Sequence, residues 1–191
     1  MPFNELVDHY RRLLEYHWLE VGMSWTAIQS LAEPLSMADV AERLAGPGAE
    51  IRMLDVREGP LYVPAVHIAD CGSSIMLLDH VGEVVSWVPG LMDRLSEGVR
   101  LWNLGWHVNG GNRLLYAADG RVLVEVPGLD CAAAYGSDPH ALDHVLHLLP
   151  EPFTLLSKAS AMAIIEMESG ASLDLEWLEA DQTAVILGHD D

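Results

Sequence analysis

Residues 99–126 constrain the fold more than any other part of the chain. Val99–Val108 is a long apolar run with tryptophan at 102 and 106. Asn109-Gly110-Gly111-Asn112 follows, residues that accept positive φ. Arg113–Ala117 is a second run, Asp119-Gly120 is the pair that a type I′ turn favours, and Arg121–Val126 returns. Three successive antiparallel strands are expected here. Leu115, Ala117, Val122, Val124 and Val126 alternate in part with polar neighbours. Such a meander has to bury one face against the rest of the chain.

Helical spacing supplies partners for that face. Leu6, Val7, Tyr10, Leu13, Leu14, Trp18 and Val21 recur at intervals of three and four, which predicts an amphipathic helix over Asn4–Glu20 with Asn4 as N-cap and Gly22 as its stop. Trp25–Leu31 reads as a short strand in preference to a continuation of that helix. Ser36 followed by Asp39 is a capping box, opening a helix through Leu44 that Gly46-Pro47-Gly48 closes. Ile51–Val56, Val63–Ile68, Ile75–Leu78 and Val84–Val88 read as strands, punctuated by Gly59-Pro60, Cys71-Gly72-Ser73 and Val81-Gly82. A short helix is expected from Pro89 to Leu95. Asp138-Pro139 starts one that runs to Leu149. Leu156–Ser169 is the next, closed by Gly170. Ser172 caps a last one over Leu173–Leu178, and Thr183–Leu187 reads as an edge strand.

The expected class is α+β: an antiparallel sheet with an N-terminal helix, a short helical insertion and a C-terminal helical cap. A single domain spanning 1–191 accommodates this, with helix and sheet over 1–134, the cap over 135–180 and a tail over 181–191.

Charge narrows the partners. Of 191 residues, 29 are Asp or Glu and ten are Lys or Arg, giving a formal charge of -19. Lys158 is the sole lysine. Half the residues are apolar, so this is a folding chain and not a disordered acidic one. No basic patch offers itself to phosphate backbones, since Arg11-Arg12 is flanked by Asp8 and Glu15. Nucleic acid and anionic membrane are therefore not expected partners. The acids at 5, 8, 15 and 20 do not suit a secretory signal, and no uncharged apolar window reaches membrane-spanning length. Two cysteines, Cys71 and Cys131, suit a reducing cytoplasm.

Three constellations invite chemistry. His140, His144 and His147 fall on one helical face beside Asp143, and imidazoles at i and i+4 can share a metal. That face is the solvent side of an amphipathic helix, with Leu142, Val145, Leu146 and Leu149 opposite and no H-E-x-x-H pattern, so no metal or cofactor is assigned. Asp79, His80 and Glu83 concentrate acid and base groups but read as a polar loop. Trp102, Leu104 and Trp106 share one strand face, and Asn103, Gly105 and His107 the other. Trp102, Asn103, Trp106, His107 and Tyr116 are therefore the candidate binding residues, with a plain core face as the competing reading. No G-x-S-x-G elbow, phosphate-binding glycine loop or calcium loop occurs. No catalytic residue is assigned.

The order of segments resembles an uncharacterised, mostly actinobacterial family of acidic proteins, the domain of unknown function 6461. The resemblance rests on Ser36–Leu44, the Gly82–Trp87 segment, Leu95-Ser96-Glu97-Gly98, and Trp102-Asn103 through Asn109. Tyr116–Arg121, Gly136-Ser137-Asp138-Pro139 and Gly170–Leu173 with Trp177-Leu178 complete it. These motifs are caps, turns and stops. The chain departs from the pattern at Val84-Val85-Ser86 and Pro89-Gly90. The family implies no activity, so it supplies no catalytic residues.

The expected function is that of a non-enzymatic acidic protein-interaction module, immunity- or antitoxin-like, neutralising or escorting a partner protein; the acidity reads either as steering toward a basic partner or as plain solubility. The alternative is a small-molecule-binding protein or enzyme with a pocket near Trp102 and Trp106. Strand edges at 183–187 or 51–68 leave the oligomeric state open.

Overall fold

The computed structural model describes residues 1–15, 19, 21–32, 34–58, 63–80, 85, 88–108, 111–152 and 154–187. Its strands are β1 (Gly22–Ser30), β2 (Ile51–Asp55), β3 (Ala65–Asp70), β4 (Ile75–Asp79), β5 (Val99–His107), β6 (Arg113–Ala118), β7 (Arg121–Pro127) and β8 (Asp181–Ile186). They form one antiparallel sheet in the order β2-β8-β3-β4-β1-β5-β6-β7. The helices are α1 (Phe3–Leu14), α2 (Met37–Ala45), α3 (Leu91–Leu95), α4 (Asp143–Leu146), α5 (Leu155–Ser169) and α6 (Leu175–Leu178). The class is α+β, as the sequence implies.

Strand periodicity splits the core in two. Met23, Trp25, Ala27, Trp102, Leu104, Trp106, Val124 and Val126 face α1 and α5. Ile28, Leu101, Leu115 and Ala117 face the other way, with Val40 and Leu44 of α2 and Leu91 and Leu95 of α3. Helix α5 is buried continuously from Ala159 to Ile165. It is apolar all round because it lies between the sheet and α1, and its alanines allow a close approach.

Local signals hold where they rest on caps and tight turns. Ser36 and Asp39 make the expected capping box. Asp119 and Gly120 both have positive φ, 50° and 73°, as a type I′ turn requires. Gly170 closes α5 in the left-handed conformation. The strand expected over Trp25–Leu31 is present but starts earlier and ends one residue sooner: β1 opens at Gly22, runs the length of β5 and ends at Ser30, with Leu31 in a bend.

Other expectations are corrected. The N-cap of α1 is Pro2, not Asn4, and the helix ends at Leu14 with Glu15 as C-cap; residues 16–18 and 20 lie outside the described residues. Asp138–Leu149 is not one helix. Ala141 and Asp143 bond back three residues, to Asp138 and His140, so turns occupy 138–142 and only Asp143–Leu146 is α-helical. Asp174, not Ser172, caps the last helix. Of Val84–Val88, Val85 sits in a turn and Val88 in a bend, with 84, 86 and 87 outside the described residues. Residues 59–60, 81–83, 109–110 and 188–191 also lie outside them. The 181–187 stretch is neither tail nor edge: β8 inserts between β2 and β3, bonded on both sides. Finally, a register shift between Tyr116 and Ala117 pairs them with Val124 and Val122. Leu123 is the extra residue of a bulge. It turns Val122 to the α2–α3 face while Val124 and Val126 stay beneath α5.

Candidate functional site

The five candidate residues of the meander do not converge. Trp102 and Trp106 are 1% exposed and sit in the core beneath α5. The Trp106 indole N–H donates to the Leu19 carbonyl at 2.7 Å, and the Lys158 ammonium lies 4.8 Å from its ring centre. Trp102 packs on Tyr116 with centroids 5.2 Å apart. Burial pushes the Tyr116 phenol up. Asn103 lies beneath the opposite face, donating to Ser24 Oγ at 2.8 Å and Thr26 Oγ1 at 2.9 Å. His107 is half-buried at the end of β5. Period two assigned these faces correctly, but the sheet itself separates them.

The histidines of the second constellation engage different partners. His140 Nδ1 lies 2.9 Å from Asp143 Oδ2, and His144 Nε2 lies 3.1 Å from Glu168 Oε2. His147 is the C-cap of α4. Among the described residues no three His, Cys, Asp or Glu side chains converge on a metal position. Asp79 is buried and accepts from the Val85 amide at 3.1 Å. Burial lowers the His80 pKa, while the charges of Asp79 and Asp55 oppose that shift. Glu83 lies outside the described residues.

Two buried polar sites escaped the sequence reading. Tyr10 donates a short hydrogen bond to Glu166 and accepts from the Leu173 amide at 3.4 Å. Burial and the Glu166 carboxylate hold that phenol protonated. His67 is fully buried against Trp177, with Nε2 3.3 Å from the Leu54 carbonyl and, among the described residues, no hydrogen-bond partner for Nδ1. Its pKa is lowered, chiefly by burial. A histidine within the apolar run 65–68 and a carboxylate ending the apolar run 159–165 were the available signals. Neither thiol is activated: burial pushes Cys71 and Cys131 up, so both stay protonated at neutral pH.

A groove of about 620 Å³ opens between α2, α3 and the ends of β1 and β5. Two of its cations already serve the fold. Arg43 Nη1 donates to the carbonyls of Leu95 (3.3 Å) and Glu97 (2.7 Å), and Arg94 Nε donates to that of Arg43 (2.8 Å). They tie α2 to α3.

Charge is distributed unevenly along the chain. Residues 122–191 carry 13 Asp or Glu against Lys158 alone. None of these carboxylates among the described residues is buried. Three sit beside a basic side chain at 3.7, 2.9 and 3.1 Å, Glu125 with Arg113, Asp143 with His140 and Glu168 with His144, while Glu166 accepts from Tyr10 and Asp130, Asp138 and Asp174 accept backbone N–H groups. Such a surface attracts cations and repels anions over roughly a Debye length, about 10 Å at 0.1 M salt.

The two edges of the sheet differ. On β7, Glu125 exchanges backbone bonds with Tyr135 at 2.8 and 3.0 Å, and the Asp138 amide donates to Leu123 at 2.9 Å. The 135–138 segment therefore covers that edge. On β2, nothing among the described residues pairs with the outer side, and Ile51 and Met53 are 45% and 60% exposed.

No helix among the described residues is long and apolar enough to cross a membrane. No family model matches the chain, and neither a curated protein nor a solved structure matches it significantly.

Proposed function

We propose that this chain is an acidic protein-interaction module that neutralises or escorts a basic partner protein, in the manner of immunity proteins and antitoxins. The observation that carries this reading is the excess of carboxylates over 122–191, none of which is buried among the described residues. Two further features agree with it. The tryptophans that would line a small-molecule pocket are spent on the core. The thiols stay protonated, and the histidines at 140 and 144 are each matched to a carboxylate, exposed Asp143 and partly exposed Glu168. A reducing cytoplasm suits the two free thiols. Kinship with the domain of unknown function 6461 belongs to the same proposal.

The test is capture from a lysate of the source organism, followed by isolation of any stoichiometric partner. Its affinity is then measured at two ionic strengths. A basic partner whose Kd rises steeply with salt is the expected result. A partner bound equally at both salts, or no stoichiometric partner, overturns the reading.

A further inference from the structure

We propose that the outer edge of β2 takes up an extended strand of the basic partner, adding it to the sheet next to Ile51–Asp55. The inference rests on the acidic-module reading above and names the surface that it uses.

The ladder identifies the free backbone groups. Ile186 N donates to Glu50 O at 2.8 Å, so Glu50 and Ile186 are a hydrogen-bonded pair of the antiparallel β2–β8 ladder. Bonded and non-bonded pairs alternate, so Arg52 and Leu54 also bond toward Ala184 and Gln182. Ile51 and Met53 therefore direct their N–H and C=O groups away from β8. Edge strands are usually guarded by lysine, proline, a bulge or a covering segment. Here β7 has such a cover and β2, among the described residues, does not. Instead β2 exposes Ile51 and Met53 on one side of the strand, next to Val185 and Thr183 of β8.

Charge selects the occupant. Glu50 and Asp55 lie at the two ends of β2, Asp181 pairs opposite Asp55, and Glu58 follows in the next turn, against Arg57 and Arg52, the latter paired with Glu50 at 2.6 Å. A second copy would bring another charge of -19 against the first. A strand with alternating apolar and basic residues meets every requirement: backbone pairing, apolar contact with Ile51 and Met53, and cations toward the flanking carboxylates.

The experiment titrates a labelled synthetic peptide of alternating valine and lysine into the full chain, read by fluorescence anisotropy. Salt is set at about 50 and about 250 mM, and amide hydrogen exchange is followed on the same samples. Binding at low salt, weakened at high salt, with slowed exchange at the Ile51 and Met53 amides, is expected. Met53→Pro removes an outward N–H without touching the β8 ladder and should weaken binding about tenfold or more at unchanged Tm. Met53→Lys keeps every backbone donor. It should weaken binding through charge and lost apolar contact even if the proline variant folds poorly.

Absence of binding, or binding with no protection at these amides and no effect of either variant, overturns the edge proposal. The acidic-module reading would then survive on its own salt test, with another surface in use. Concentration-dependent protection of the same amides without peptide would make a second copy the occupant, which also overturns it.

Discussion

Asn103 holds together a polar seam in an otherwise apolar sheet face. Its amide nitrogen serves the hydroxyls of both Ser24 and Thr26, all fully buried. Asn103→Leu strands two buried hydroxyls and should cost about 2 kcal/mol in urea unfolding. The triple change Ser24→Ala, Thr26→Val, Asn103→Leu removes both sides of the interaction and should cost less than the single one. A larger loss in the triple variant would mean that Asn103 acts through other contacts. His67 makes a pH prediction. Burial lowers its pKa from the ordinary 6.5, and the His80 imidazole adds to this, against the Leu54 carbonyl and the Asp55 carboxylate. Below that value the unfolded chain binds a proton that folded His67 resists. Its contribution is thus fully present above about pH 6.5 and declines as pH falls. His67→Gln should flatten the fall in Tm between pH 7 and pH 5, though not remove it, since His80 is depressed as well. An unchanged pH profile would show that native His67 binds its proton as readily as the unfolded chain does, so that burial does not depress it.

At the scale of elements, legibility followed the range of the interaction. The 119–120 turn and the Ser36 box depend on neighbours in sequence, and both were readable. The place of β8 was not, because its apolar, β-branched run looks the same at an edge as between two strands, and only β2 and β3 decide. The 138–149 helix failed for a related reason. Asp138 spends its backbone N–H on the Leu123 carbonyl and the Ser137 hydroxyl bonds Val122, so the segment is drawn to β7 instead of coiling. Gly136 makes that docking possible. Its φ is 147°, and a methyl group there would lie 2.1 Å from the Leu123 oxygen and 3.0 Å from Val124 Cα. Gly136→Ala should therefore destabilise the protein by about 2–3 kcal/mol, measured by chemical denaturation. It should also speed amide exchange at Glu125 and Tyr135, whose mutual bonds close the edge. A loss below 0.5 kcal/mol, about the size of an ordinary surface change, would mean that the 135–138 segment can lift away freely.

Over the whole molecule one quantity acts in two opposite directions. The charge of -19 was plain in the sequence, but its meaning was not, since composition does not say which carboxylates a fold will bury or pair. The tryptophans show the same limit: their shared face was readable, but whether it lines a pocket or a core is decided by α5, far along the chain. With the described carboxylates of 122–191 left at least partly exposed, the charge that attracts a cationic partner also repels itself within the folded molecule. Added sodium chloride screens both. Between about 20 and about 300 mM salt, Tm should rise as self-repulsion is screened, while affinity for the basic partner falls. The two slopes have one cause, so a variant that lowers the surface charge should reduce both together. Glu176→Gln with Glu179→Gln, exposed positions in and just after α6, is a suitable pair. A protein whose Tm ignores salt while its binding depends on it would have its repulsion cancelled locally. The attraction would then come from a small cluster rather than from the whole acidic surface.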